Sequence, residues 1–201
     1  TSDNGFFCGS HGYGSKVLPY EESSRVPLII YDPRHANSGK KLRTSALTGN
    51  IDFAPTILSL AGISSPENMD GKNLMTVYDK PKSSLHHSLP LINVWGKEPT
   101  HALGVVTEEM KYLYWGYAAK GFKPTNELYD LKKDPLEKSN QFSSSEYTKA
   151  SKKMQKLYDQ HLAHWKENAV AYNKYQKFGI LFDRKLKWEE KIKRVKNFSS
   201  K

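Results

Sequence analysis

Arg25-Val26-Pro27-Leu28-Ile29-Ile30-Tyr31-Asp32 is a continuous apolar run closed by Pro33. Such a run is typical of a strand buried on both faces, as in a parallel sheet covered by helices. Pro27 places the start of the strand proper after it, because proline donates no ladder hydrogen bond. A polar loop rich in Gly, Lys and Asn follows over residues 35–45. Residues 50–61, NIDFAPTILSLA, then read as a helix. Asn50 or Asp52 can cap it, Pro55 is tolerated in its first turn, and Gly62 stops it. Ile51, Ala54, Ile57, Leu58 and Ala61 share one face at helical spacing.

Beyond residue 84 the texture changes. Short β-like runs at 89–95, 102–107, 112–118 and 126–131, joined by local turns, favour an antiparallel sheet. Residues 143–172 give the clearest helix, with Ser143 and Glu146 spaced for a capping box. Tyr147, Ala150, Met154, Leu157, Leu162, Trp165, Ala169 and Tyr172 form its apolar stripe; His161 and His164 beside it read as surface or interface residues rather than ligands. After Phe178 comes a basic, weakly patterned tail that could form another helix through Trp188 and Ile192. The expected order is loop, buried strand, helix, then a small antiparallel sheet with a helix across it. That is the second half of an α/β domain plus an α+β subdomain. The divisions expected are 1–83, 84–175 and 176–201.

The chain has 201 residues, enough for one good core with an appendage. Aromatic residues make up 12%, which argues against disorder. No apolar run approaches the ~20 residues of a membrane-spanning helix. The net charge of +10 favours anionic partners: nucleic acid, anionic lipid or an acidic polysaccharide. Lysine dominates that charge, the few arginines form no patch, and no nucleic-acid-binding signature appears. The single cysteine, Cys8, excludes an intrachain disulfide and a cysteine-based zinc site.

The chemistry concentrates at the start. Thr1-Ser2-Asp3-Asn4-Gly5 leads through Cys8-Gly9-Ser10-His11-Gly12 to Lys16, just before Tyr20-Glu21-Glu22. Asp3 and Asn4 offer oxygens to a hard divalent cation such as Ca²⁺. Lys16 is a point charge suited to a phosphate or sulfate oxygen, and the glycines let backbone approach a ligand. Together they suggest a metal-assisted site for an oxyanion ester, seen from one side. Asp-Asn-Gly is also a common turn sequence. Thr1-Ser2 reads as the end of a strand whose apolar body lies upstream.

These stretches resemble the type I sulfatases of the alkaline-phosphatase-like superfamily. TSDNG, GSHG, Lys16 and YEESSRVPLIIYDP are similar to that family's motifs. So are IDFAPTIL with AGI at 61–63, MDGKNL at 69–74, and NELYDL at 126–131 followed by Asp134-Pro135 and Glu137. The resemblance implies the C-terminal part of a mixed sheet sandwiched by helices. It implies Asp3 and Asn4 as Ca²⁺ ligands and Lys16 as the catalytic, sulfate-binding lysine. His11 would contact or support the substrate, and His101 would border the substrate cleft. Ser10 departs from the acidic residue usual at its position. The family's formylglycine is made from Cys or Ser in a C/S-x-P-x-R context. Cys8 is followed by Gly-Ser-His-Gly, and Ser64-Ser65-Pro66 lacks the Arg. The resemblance therefore puts the nucleophile, and the other metal ligands, in an N-terminal half outside this chain. A periplasmic, extracellular or lysosomal setting goes with it.

Three functions stay open at this point. One is a sulfatase acting on a sulfated glycan or aryl sulfate. Another is a phosphonate or phosphodiester hydrolase of the same superfamily. The third is a non-catalytic module binding acidic polysaccharide through its lysines, with no role for nucleic acid or membrane.

Overall fold

The computed structural model describes residues 1–170 and 175–199. Its helices are α1 (Glu21–Ser24), α2 (Phe53–Leu60), α3 (Met75–Asp79), α4 (Thr148–Asn168), α5 (Gln176–Leu181) and α6 (Trp188–Ser199). Its strands are β1 (Leu89–Asn93), β2 (Ala102–Val106), β3 (Met110–Trp115) and β4 (Thr125–Asp130). The chain divides into two compact units, Thr1–Asp3 with Val26–Leu89 and Asn4–Arg25 with Pro90–Lys201.

In the first unit, α2 follows a 3-10 turn at Asn50–Asp52. Leu74, Val77 and Leu85 form a small core, with Ile30, Ala46 and Phe53 packed against it. Asp52 is its polar hub. Its carboxylate accepts the Gly49 N–H at 2.8 Å, the Lys72 N–H at 2.7 Å and His86 Nε2 at 2.7 Å. Gly71 allows that approach, since a Cβ there would lie 1.9 Å from the Ile51 carbonyl oxygen.

The strand expected within residues 25–32 does not form. Ile30 packs against the small core, whereas Ile29 is 83% exposed and Tyr31 71%. A parallel strand is held by ladders to its neighbours, and among the described residues the one sheet is built from residues 89–130.

The second unit is layered. Its sheet has the order β1-β2-β3-β4, with β2/β3 and β3/β4 antiparallel. Register pairs Val105 with Tyr112 and Tyr112 with Leu128. Because strand side chains alternate between faces, Leu103, Val105, Tyr112, Tyr114 and Leu128 meet Met154, Tyr158 and Leu162 of α4. Leu113 and Tyr129 point to the other face, against Phe7 and Tyr20 of the 4–25 loop. The sheet is thus covered by α4 on one side and by that loop on the other.

β1 and β2 fall inside the expected runs, whereas β3 begins two residues and β4 one residue before theirs, so Met110 and Lys111 pair in the ladder rather than forming the turn. The long helix is shorter than expected. Residues 145–147 are 3-10, no side-chain cap forms, and extended backbone at Ala169 ends α4. Tyr172, placed on its stripe by spacing, lies outside the described residues. The basic tail is better ordered than its pattern suggests: Phe178 and Phe182 enter the core, and Lys191 of α6 is 1% exposed.

The candidate active-site loop

Residues 4–25 carry most of the candidate chemistry and are folded back on themselves. The Gly5 N–H donates to the Ser23 carbonyl at 2.9 Å, the Phe7 N–H to Ser15 at 2.8 Å, and the Gly9 N–H to Tyr13 at 2.8 Å. Gly5 is required here, because a Cβ would lie 2.0 Å from the Glu22 carbonyl oxygen. Phe7, buried beside Tyr20, Leu113 and Tyr129, anchors the loop to the sheet.

Within this fold Lys16 Nζ donates to Asn4 Oδ1 at 3.1 Å. The Asn4 amide nitrogen donates to the Gly5 carbonyl at 2.7 Å, which fixes the side chain so that its oxygen meets the ammonium. Val17, next to Lys16, has φ 81°, a left-handed conformation unusual for a β-branched residue. Its N–H is held by Ser23 Oγ at 3.0 Å. Such strain persists only where the surroundings over-determine it.

His11 also has a positive φ, 53°. Its ring stacks on Tyr20 with centroids 4.5 Å apart, and its Nε2 lies 3.5 Å from Glu22 Oε2. Tyr20 in turn donates to Glu127 Oε2 at 3.0 Å, as Tyr129 does at 3.2 Å. Burial, reinforced by the Glu127 charge, pushes both phenols far above their ordinary range, so both are neutral donors.

A buried charge cluster pins α1 beneath the loop. Lys111, with 0% exposure, lies 2.8 Å from Glu21 Oε1 and 2.8 Å from Glu137 Oε1. Glu137 Oε2 also accepts the Glu21 N–H at 2.6 Å. Burial pushes the Glu137 carboxyl up, and the Lys111 ammonium pulls it back. His11, Glu22 and Glu137 each bring one ligand atom within 4.8 Å of the others. That grouping has the residue types for a metal, yet Glu137 is already engaged by Lys111 and the Glu21 amide.

Asp3 belongs to the other unit. Its Oδ1 accepts Ser2 Oγ at 3.2 Å, and its carbonyl accepts Asn50 Nδ2 at 2.9 Å. His101 sits apart from the loop. It lines a cavity of about 140 Å³ with Phe178, Tyr117 and Trp188, and no residue of 4–25 lines that cavity. Its ring meets Phe178 edge-on at 5.2 Å, and burial lowers its pKa. Cys8 is exposed and free. The structure thus joins Lys16 to Asn4 and His11 to the loop's support, and leaves His101 elsewhere. Lys111 was not singled out from the sequence, and Glu137 appeared there only within the DP-x-E segment.

The fold and this loop define the C-terminal portion of a sulfatase. A family model described as N-sulphoglucosamine sulphohydrolase, C-terminal, matches residues 9–164, and the chain belongs to that family. An N-acetylglucosamine-6-O-sulfatase of Bacteroides thetaiotaomicron is 32% identical over 84% of this chain and 30% of its own length. An arylsulfatase of Clostridium perfringens is 30% identical over 88% of this chain and 35% of its own. A solved structure described as a complex with its substrate D-glucosamine-2-N,6-O-disulfate aligns with TM-score 0.72 and 31% identity, over 84% of this chain and 34% of that one. Another, described as a 2-O GAG sulfatase, aligns with TM-score 0.67 and 27% identity, over 84% and 36%. The chain therefore spans about a third of the length of these relatives. No described helix is long and apolar enough to cross a membrane.

Proposed function

We propose that the protein carrying this chain hydrolyses sulfate esters, with a sulfated amino-sugar glycan as its substrate class. This chain supplies Lys16 as the sulfate-binding lysine and Asp3 and Asn4 as oxygen ligands of a Ca²⁺ ion. The observation that carries the reading is the Lys16–Asn4 contact of 3.1 Å. The loop fixes a cation against the amide oxygen that the family resemblance gives to the metal. The substrate class is supported by two of the similar proteins, the N-acetylglucosamine-6-O-sulfatase and the one solved with D-glucosamine-2-N,6-O-disulfate.

The donor chemistry fits the ion. Asp3 and Asn4 offer a carboxylate and a carboxamide oxygen, the hard ligands Ca²⁺ takes, and Asn4 Oδ1 already receives a positive group. Bound there, Ca²⁺ would polarise the sulfate oxygens as a Lewis acid. Lys16, held on its strained loop, meets negative charge as it develops when the S–O bond breaks. A pre-positioned cation does most in a site that excludes water. His11, stacked on Tyr20 and facing Glu22, keeps the loop in shape. The formylglycine nucleophile and remaining ligands belong to other parts of the longer protein. The apolar run of residues 25–32, which forms no strand within this chain, would pair with a strand of those parts. The family likeness also favours a periplasmic, extracellular or lysosomal setting.

The test is steady-state turnover of an aryl sulfate by the intact protein. Lys16→Ala is expected to lower kcat/KM by about 10²–10³, the range for loss of one charge-stabilising group, with the melting temperature unchanged. Chelation should abolish turnover and Ca²⁺ restore it. Preferential turnover of a phosphate diester would instead assign the phosphonate and phosphodiester branch of the superfamily.

A further inference from the structure

The outer face of α4 is a lysine stripe. Lys149, Lys152, Lys153 and Lys156 follow at i, i+3, i+4 and i+7, and all four are exposed. They span about 10 Å of helix and lie opposite Met154, Tyr158 and Leu162, the residues α4 buries against the sheet. None of them forms an ion pair with a carboxylate among the described residues. Glu109, whose carboxylate feels Lys153, is already held by Lys132 at 2.5 Å, and Glu146 by Lys133 at 3.2 Å.

This arrangement works against the helix that carries it. Like charges three and four residues apart destabilise a helix. Cations near its N-terminus oppose the macrodipole, and α4 has no acidic residue in its first turn. Four uncompensated lysines there are what an external polyanion would neutralise.

We propose that the outer face of α4 is a docking surface for a sulfated polysaccharide chain, separate from the loop that bears Lys16. The sheet lies between them, because α4 covers one of its faces and the 4–25 loop the other. The surface would hold a polymer rather than the bond being cut. Its chemistry selects among polyanions. The stripe has no aromatic side chain to stack bases on, as single-stranded nucleic acid would use. It has no apolar edge to enter a lipid interface. Lysine ammonium groups on flexible stems match sulfates spaced along a chain. The choice of occupant rests on the sulfated-glycan reading above; the existence of the surface does not.

The experiment measures binding of the intact protein to heparin across a salt series. Two variants lose equal charge: Lys149, Lys152, Lys153 and Lys156→Gln, and, as a control, Lys41, Lys80, Lys82 and Lys193→Gln. Glutamine keeps helix propensity, and circular dichroism checks that α4 persists. The α4 variant is expected to bind more than tenfold more weakly. Its slope of log affinity against log salt should fall by about three, on the counterion-release scale for linear polyanions. Aryl-sulfate turnover should not change. Equal losses in both variants would reduce the effect to net charge and overturn the proposal. So would single-stranded DNA or anionic vesicles binding as tightly as heparin through the same lysines. α4-dependent heparin binding by a protein that turns over no aryl sulfate would sink the catalytic reading and leave this surface standing.

Discussion

Lys111 is buried outright, yet three partners meet it: Glu21 and Glu137 at 2.8 Å each, and Ser24 Oγ at 3.4 Å. It ties α1 to β3 and to the segment after β4, and so holds the C-terminal end of the loop that presents Lys16. Removing one member of a buried pair leaves the other charge stranded, at a cost of about 3–5 kcal/mol. Lys111→Met is therefore expected to lower the urea midpoint sharply. Lys111→Met combined with Glu137→Gln should recover part of the loss, since the amide oxygen can still accept the Glu21 N–H. A double variant no better than the sum of the singles would mean the two charges do not interact. At this scale the sequence was informative where contacts are local. Asn4, His11 and Lys16 stand in one short loop, and motif spacing was enough to find them. By spacing alone Lys111 falls between two expected strands, Asp52 reads as a cap, and His86 belongs to no local motif. Their partners are far along the chain, and nothing in local spacing encodes a pairing such as His86 with Asp52 across 34 residues.

At the scale of elements, period identified the strands and α4, while the boundaries followed hydrogen bonding that spacing does not show. Ser143 and Glu146 have capping-box spacing, but Glu146 faces Lys133 instead. Tyr158, left off the expected stripe, sits at its centre. A tyrosine fits either side of an amphipathic helix, and the hydroxyl of Tyr158 is satisfied here by the Phe182 carbonyl at 2.6 Å. Lys191 makes α6 part of the core. Its ammonium donates to Tyr114 Oη at 2.9 Å and to the Leu181 carbonyl at 2.8 Å, and lies 4.8 Å from the centre of the Tyr114 ring. Burial lowers its pKa from 10.5 to about 8. The sign follows from linkage. Between those values the unfolded chain holds the proton and the folded one has released it, so stability rises with pH across that window. Below about pH 8 both states are charged and the full penalty, roughly 3 kcal/mol, applies. Lys191→Met should therefore stabilise the protein relative to wild type most at pH 7, and the gap in melting temperature should narrow by pH 9.5. A gap independent of pH would show that Lys191 titrates as an ordinary surface amine.

At the scale of the whole molecule, the run at residues 25–32 poses the main physical question. A stretch read as a doubly buried strand exposes Ile29 and Tyr31, and Ile57, Leu60 and Ile63 of the same unit are exposed as well. Apolar side chains exposed singly need no explanation, whereas a contiguous patch of them marks a surface made for contact. The local pattern gave the strand's character; what a strand needs in order to form is a neighbour, and a neighbour cannot be read from the run itself. The chain spans only about a third of its relatives' length, so the proposed partner is another part of the longer protein. Amide exchange separates the alternatives. In the intact protein the backbone of residues 28–31 should exchange slowly, as ladder hydrogen bonds do, while in this chain alone it should exchange at nearly unprotected rates. The chain alone should also bind a hydrophobic dye that the intact protein excludes. Fast exchange at residues 28–31 in both forms would mean that the run is a surface segment in its own right, and the reason for its apolar character would then lie outside the sheet.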